Sequence, residues 1–261
     1  MNEFLQQSIT YASQKSYLDD LFSVYPTIPN GIRDIDEKIW SKVEQAYNGR
    51  DNLALVRNML QLELFPIKDS YVAYLKRDIS ALERNPRTVN RLAGEMYELG
   101  LGELYKRCSA PKETNRQIGP MFKKWLAKGV LGLMPVDLKD FETVEGDAVF
   151  TGSDQQMQEF ASRYLGYTHN KGLDFLGRFN GRYVIGEAKF LTDFGGHQNA
   201  QLNDALGTLT SEVNADVVKI AILDGVCYIK SSNKMYKTIT EEYGNYNIMS
   251  SLVLRNFLYT L

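Results

Sequence analysis

Two carboxylates and an ammonium, Asp174, Glu187 and Lys189, stand within the stretch GLDFLGRFNGRYVIGEAKF, residues 172–190. Between them lies Asn180-Gly181. That dipeptide suits a type I′ turn, whose two central residues both need positive φ. Asp174 is six residues before Asn180 and Glu187 is six after Gly181, so a two-residue hairpin sets them directly opposite one another. Lys189 lies two positions further along and shares their face. A one-residue slip would scatter the three over both faces. Acids paired across strands repel. The neighbours are Leu173, Phe175, Leu176, Val184, Ile185 and Ala188, which describes a strand pair buried on both faces, where uncompensated acids are costly. A divalent cation with oxygen ligands would remove the repulsion, and Mg²⁺ characteristically takes one or two carboxylates together with waters and phosphate oxygens. The competing reading is a solvated ion pair on a surface hairpin.

Asp with Glu-Ala-Lys thirteen positions on resembles the PD-(D/E)xK nuclease superfamily. The segment FLTDFGGHQNAQLNDA resembles the stretch after that lysine in some type II restriction endonucleases. Leu173 stands where the superfamily's namesake proline would be. The resemblance spans roughly residues 85–230, and the first eighty residues carry none. It implies an α/β fold, a restriction-endonuclease-like mixed central sheet flanked by helices, here with a helical N-terminal region. It implies a sequence-specific endonuclease of double-stranded DNA, with Asp174, Glu187 and Lys189 catalytic and Mg²⁺ held by Asp174, Glu187 and the Ala188 carbonyl. Product ends would be 5′-phosphate and 3′-hydroxyl, and a homodimer would supply two sites for the two strands. The superfamily often adds an acid from a helix before the active strands. Glu95 is better explained by an i,i+4 pair with Arg91, while Glu98 stays open as a ligand. Two alternatives remain: a structure-specific repair or junction-resolving nuclease of the same superfamily, and a non-catalytic DNA-binding protein. His169-Asn170 suggests an HNH nuclease, but the chain has only one other histidine and no ββα-metal pattern.

The elements that must position these residues are legible from periodicity. EKIWSKVEQAY and NLALVRNMLQLEL space their apolar residues as helices do. Pro66 separates the second from DSYVAYLKRDISALER. No linker rich in Pro, Gly or Ser is present, so residues 1–84 are expected as a helical region packed on a nuclease core of residues 85–261. Thr88 suits the cap of a helix through VNRLAGEMYELGLGELYKR, with Val89, Leu92, Met96 and Leu99 as its buried stripe. KETNRQIG reads as a loop, broken from a short helix at MFKKWL by Gly119-Pro120. DAVFTG is a strand. SDQQMQEFASRYLG opens with a Ser-x-x-Gln capping box. HQNAQLNDALGTLTSEV is a helix, DVVKIAILDGVCYIK one long or two short strands, and SSLVLRNFLYTL a final helix. Strands alternating with helices give the mixed sheet.

Side-chain chemistry nominates the candidate DNA contacts. Asn115, Arg116 and Gln117 are residue types that read base edges, and Lys123 and Lys124 suit phosphates. Gly195-Gly196 opens a helix N-terminus that favours an anion, which makes His197, Gln198, Asn199 and Gln201 further candidates. Met121, Phe122 and Trp125 read as core. The net charge of −2 hides an asymmetry: residues 84–128 hold ten Lys/Arg and four Glu, a basic segment in an otherwise acidic chain, as a localised anionic partner requires. The bland reading of that segment is a set of solvated helix faces. No apolar run reaches spanning length and the N-terminus lacks a signal-peptide core. Cys108 and Cys227 are far apart, as expected for two buried thiols in a reducing cytoplasm.

Overall fold

The computed structural model describes residues 1–26, 34–111 and 118–261. The expected hairpin is present. Asn180 and Gly181 have φ of 49° and 79°, the left-handed pair that a type I′ turn requires. The turn fixes the register, with Phe175 opposite Gly186 and Phe179 opposite Arg182. These two strands are the centre of a five-stranded sheet in the order β1-β2-β3-β4-β5: β1 (Ala148–Val149), β2 (Phe175–Phe179), β3 (Arg182–Leu191), β4 (Val218–Gly225) and β5 (Ile248–Met249). β1 pairs antiparallel with β2 and β2 with β3, whereas β3, β4 and β5 run parallel. The sheet is therefore mixed, and helices flank it, as the α/β expectation required.

In chain order the helices are α1 (Glu3–Ala12), α2 (Tyr17–Val24), α3 (Glu37–Asn48), α4 (Asn52–Gln61), α5 (Val72–Arg77), α6 (Ala81–Arg84), α7 (Pro86–Leu99), α8 (Leu101–Cys108), α9 (Ile118–Leu126), α10 (Leu138–Thr143), α11 (Asp154–Tyr164), α12 (Gly196–Thr210), α13 (Lys234–Lys237) and α14 (Ser251–Leu258). Packing divides them into two compact units, residues 1–27 with 114–261, and residues 28–113. This division differs from the expected 1–84 and 85–261. The first helices belong with the sheet: Tyr17 Oη accepts the Gly225 N–H at 2.9 Å, Tyr25 Oη donates to Asp224 at 3.0 Å, and Tyr25 stacks on Phe190. Conversely α7 and α8 share a core with α3–α6, in which Val43, Met59, Leu82, Leu92, Met96 and Leu104 are buried.

Within the sheet-bearing unit, alternation along the strands feeds two cores. Phe175, Phe179, Val184 and Ala188 join the core formed with α1, α2, α9, α12 and α14. Leu176 and Ile185 join the opposite core, with Phe141 of α10 and Phe160 of α11. Asp174 shares parity with Leu176, and Glu187 and Lys189 share it with Ile185. The three candidate residues therefore lie on the α11 side of the sheet.

Several boundaries differ from expectation. α7 begins at Pro86, with Asn85 before it and not Thr88, and Gly100 at φ 77° separates it from α8. Pro120 lies inside the first turn of α9 and does not break it, since the first turn needs no proline N–H. The strand after residue 217 is single, closing at Gly225 into a 3₁₀ turn, Val226–Tyr228. Phe122 and Trp125 are buried as core, and Met121 packs against it. Cys108 and Cys227 are free and buried. Among the described residues no helix is long and apolar enough to cross a membrane.

Candidate active site

Asp174 stands one residue before β2, and its N–H donates to the Gly186 carbonyl at 3.1 Å. The regular ladder ends at Phe175 opposite Gly186, and this bond ties Asp174 to β3 just beyond it. One carboxylate oxygen, Oδ2, accepts the Ala188 N–H at 3.0 Å and Lys189 Nζ at 2.9 Å. Lys189 Nζ also pairs with Glu187 Oε2. The lysine thus bridges both acids. Asp174 and Glu187 are 8% and 4% exposed, so their repulsion is not relieved by water. The surface ion-pair reading of the hairpin does not hold.

Neighbouring groups compensate the acid pair. For Asp174, burial favours the neutral acid, but the Lys189 charge, hydrogen bonds from Glu187 and Lys189, and the Ala188 N–H outweigh it and hold the carboxyl below its usual range. Glu187 is pushed up to about 8 by burial and by the Asp174 charge, against the pull of Lys189. Burial opposes the Lys189 charge, but Asp174 and Glu187 overcome it and raise the ammonium above its ordinary value. Asp174 is thus the acid favoured to ionise, Glu187 the acid disfavoured, and Lys189 is held in its charged form.

The three side chains line a cleft of about 540 Å³ together with Asp154, Gln155 and Gln158 of α11 and Asn170, Lys171 and Gly172. The α11 side chains did not stand out in the sequence. The capping box does form, with Ser153 Oγ accepting the Gln156 N–H at 3.2 Å and Gln156 Oε1 accepting the Ser153 N–H at 2.8 Å. It marks where α11 begins but not what the helix faces. His169 is exposed and stacks on Tyr167.

The donor set fits a hard cation. Two buried carboxylates supply oxygen ligands, and a divalent ion would take over the charge compensation that Lys189 gives them. Among the described residues no three His, Cys, Asp or Glu side chains converge, so such an ion would complete its shell with waters or phosphate oxygens. Glu98 is exposed and belongs to the residue 28–113 unit, while Glu95 pairs with Arg91 at 3.0 Å as expected.

The proposed DNA contacts fare unevenly. Asn115, Arg116 and Gln117 lie outside the described residues. Lys124 is exposed, but Lys123 is half-buried, donating to the Gly152 carbonyl at 2.9 Å and paired with Asp154. Gln198 is buried and clamps Thr192, accepting its N–H at 3.2 Å, so its amide is committed to the loop after β3. Asn199 donates to the Phe194 carbonyl at 3.1 Å and is likewise committed. His197 is exposed, and its ring lies 3.2 Å from the Gln201 amide.

No curated protein and no solved structure matches the chain. A family model does, and it covers residues 2–261: the chain belongs to the Tsp45I type II restriction enzyme family and is a site-specific deoxyribonuclease.

Proposed function

We propose that this restriction enzyme cleaves double-stranded DNA in a Mg²⁺-dependent reaction at Asp174, Glu187 and Lys189, leaving 5′-phosphate and 3′-hydroxyl ends. The observation that carries the proposal is the buried acid pair bridged by one lysine at the wall of a cleft. Type II restriction enzymes generally use divalent ions, and Mg²⁺ suits a site with two carboxylates and room for phosphate oxygens. The chemistry supplied with Mg²⁺ bound is neutralisation of the scissile phosphate and acidification of the attacking water. Asp174 and Glu187 would hold the ion, with the Ala188 carbonyl as a third ligand. Lys189, released from counter-ion duty, orients the water or stabilises charge developing on the phosphoryl oxygens. Two strands need two sites, which a homodimer supplies most simply.

Digestion of a long, sequenced duplex in Mg²⁺ and in EDTA, with mapping of the ends, tests this reading. Discrete fragments with 5′-phosphates are expected in Mg²⁺ alone. Cutting directed by DNA structure rather than sequence would point to a repair-type nuclease instead.

A further inference from the structure

Among the described residues that line the cleft, one cation is not used by the acid pair. The ionisable lining is Asp154, Asp174, Glu187, Lys171 and Lys189, three acids against two lysines. Lys189 is bound between Asp174 and Glu187, and Asp154 is paired with Lys123 from outside that lining. Lys171 instead pairs with Asp204 of α12, and the two side chains are 38% and 46% exposed. An exposed pair of this kind contributes little to stability, so exchanging its partner costs little.

The position of Lys171 is nevertheless fixed. The Leu173 N–H donates to the Asp154 carbonyl at 3.1 Å. At Gly172 a Cβ would lie 2.6 Å from the Asp154 Cβ, so glycine is what lets this segment lie against the start of α11. Lys171 is held between that contact and Asp204, three residues before Asp174.

We propose that Lys171 binds a DNA backbone phosphate beside the scissile one, exchanging Asp204 for a phosphate oxygen as DNA enters. This rests on the active-site reading above. The other ionisable side chains described in the lining are engaged with one another or with Lys123, whereas Lys171 is held only by an exposed ion pair that a phosphate oxygen can replace. A lysine contacts phosphate as a point charge, without reading sequence. In the DNA-free protein Asp204 holds the ammonium in place and competes with phosphate for it.

The test compares Lys171→Gln, Lys171→Arg and Asp204→Asn. Binding is measured in Ca²⁺ on a short duplex carrying a cut site mapped from the wild-type digest, and on one lacking it. Lys171→Gln should weaken binding to both duplexes by roughly tenfold and reduce the slope of log K against log salt by about one. Lys171→Arg should restore most of the loss. Asp204→Asn should bind at least as tightly as wild type, because the competitor is gone. If the pair only braces α12, the Lys171→Gln and Asp204→Asn proteins will be impaired alike. That result, or an unchanged affinity and salt slope in Lys171→Gln, overturns the inference. Asp174→Asn, assayed alongside, separates the two readings: cleavage by that variant overturns the active-site assignment, whereas the Lys171 results bear on the phosphate contact.

Discussion

Lys189 is where a structural and a catalytic role diverge most sharply. It bridges Asp174 and Glu187, so it is at least their counter-ion. If that were all, Lys189→Met would destabilise the metal-free protein, and Mg²⁺ would restore both folding and activity. The account predicts instead that Lys189→Met folds with Mg²⁺ but cleaves slowly. Under single-turnover conditions, which isolate chemistry from binding and release, the loss should be at least about a hundredfold, comparable to removing one preorganised transition-state donor. A rate within about threefold of wild type would make Lys189 structural. At this scale the meeting of Asp174, Glu187 and Lys189 was readable from the sequence, because one turn signal fixes parity for every residue of a hairpin. Gln198 and Asn199 were not readable as loop clamps. An amide's chemistry is the same whether it faces DNA or a carbonyl, and only the path of the chain around Thr192 and Phe194 decides. Lys123 likewise meets Asp154 through tertiary packing.

At the scale of elements, the hairpin from β2 to β3 sets the distance between the acids, and its turn is the point of control. Gly181 has φ 79°, and a Cβ there would meet nothing within 4 Å. A Gly181→Ala change therefore strains only the backbone, at a cost of about 1–2 kcal/mol. Urea denaturation should show a lower midpoint with an unchanged slope, and cleavage should survive, since the ladder beyond the turn keeps its register. An inactive but stable Gly181→Ala protein would mean that the turn does not merely hold register. Strands β1 to β4 and most helices were legible from the sequence pattern, whereas the two-residue β5 was not. Their ends were harder to read, because Pro120 and Gly100 have opposite effects: proline is accepted in the first turn of α9, while Gly100 ends α7.

For the whole molecule, the family assignment spans residues 2–261, yet the packing divides them into two units. Helical periodicity showed that apolar stripes exist at both ends of the chain but not which stripes meet. Tyr17 and Tyr25 bond to Gly225 and Asp224, some two hundred residues away, and no local pattern encodes that pairing. The residue 28–113 unit has its own buried core. It should therefore form a helical domain when expressed alone, marginally stable given its size; a fragment without cooperative thermal loss of its helical circular dichroism would show that its core is not self-sufficient. Cleavage by the full chain is expected to run through Asp174, Glu187 and Lys189 with a divalent ion. The most direct measurement is single-turnover cleavage of a mapped site by wild type and Asp174→Asn in Mg²⁺, with DNA binding by both measured in Ca²⁺. Bound but uncut DNA is expected for Asp174→Asn. Cleavage by that variant at more than a few per cent of the wild-type rate would contradict it.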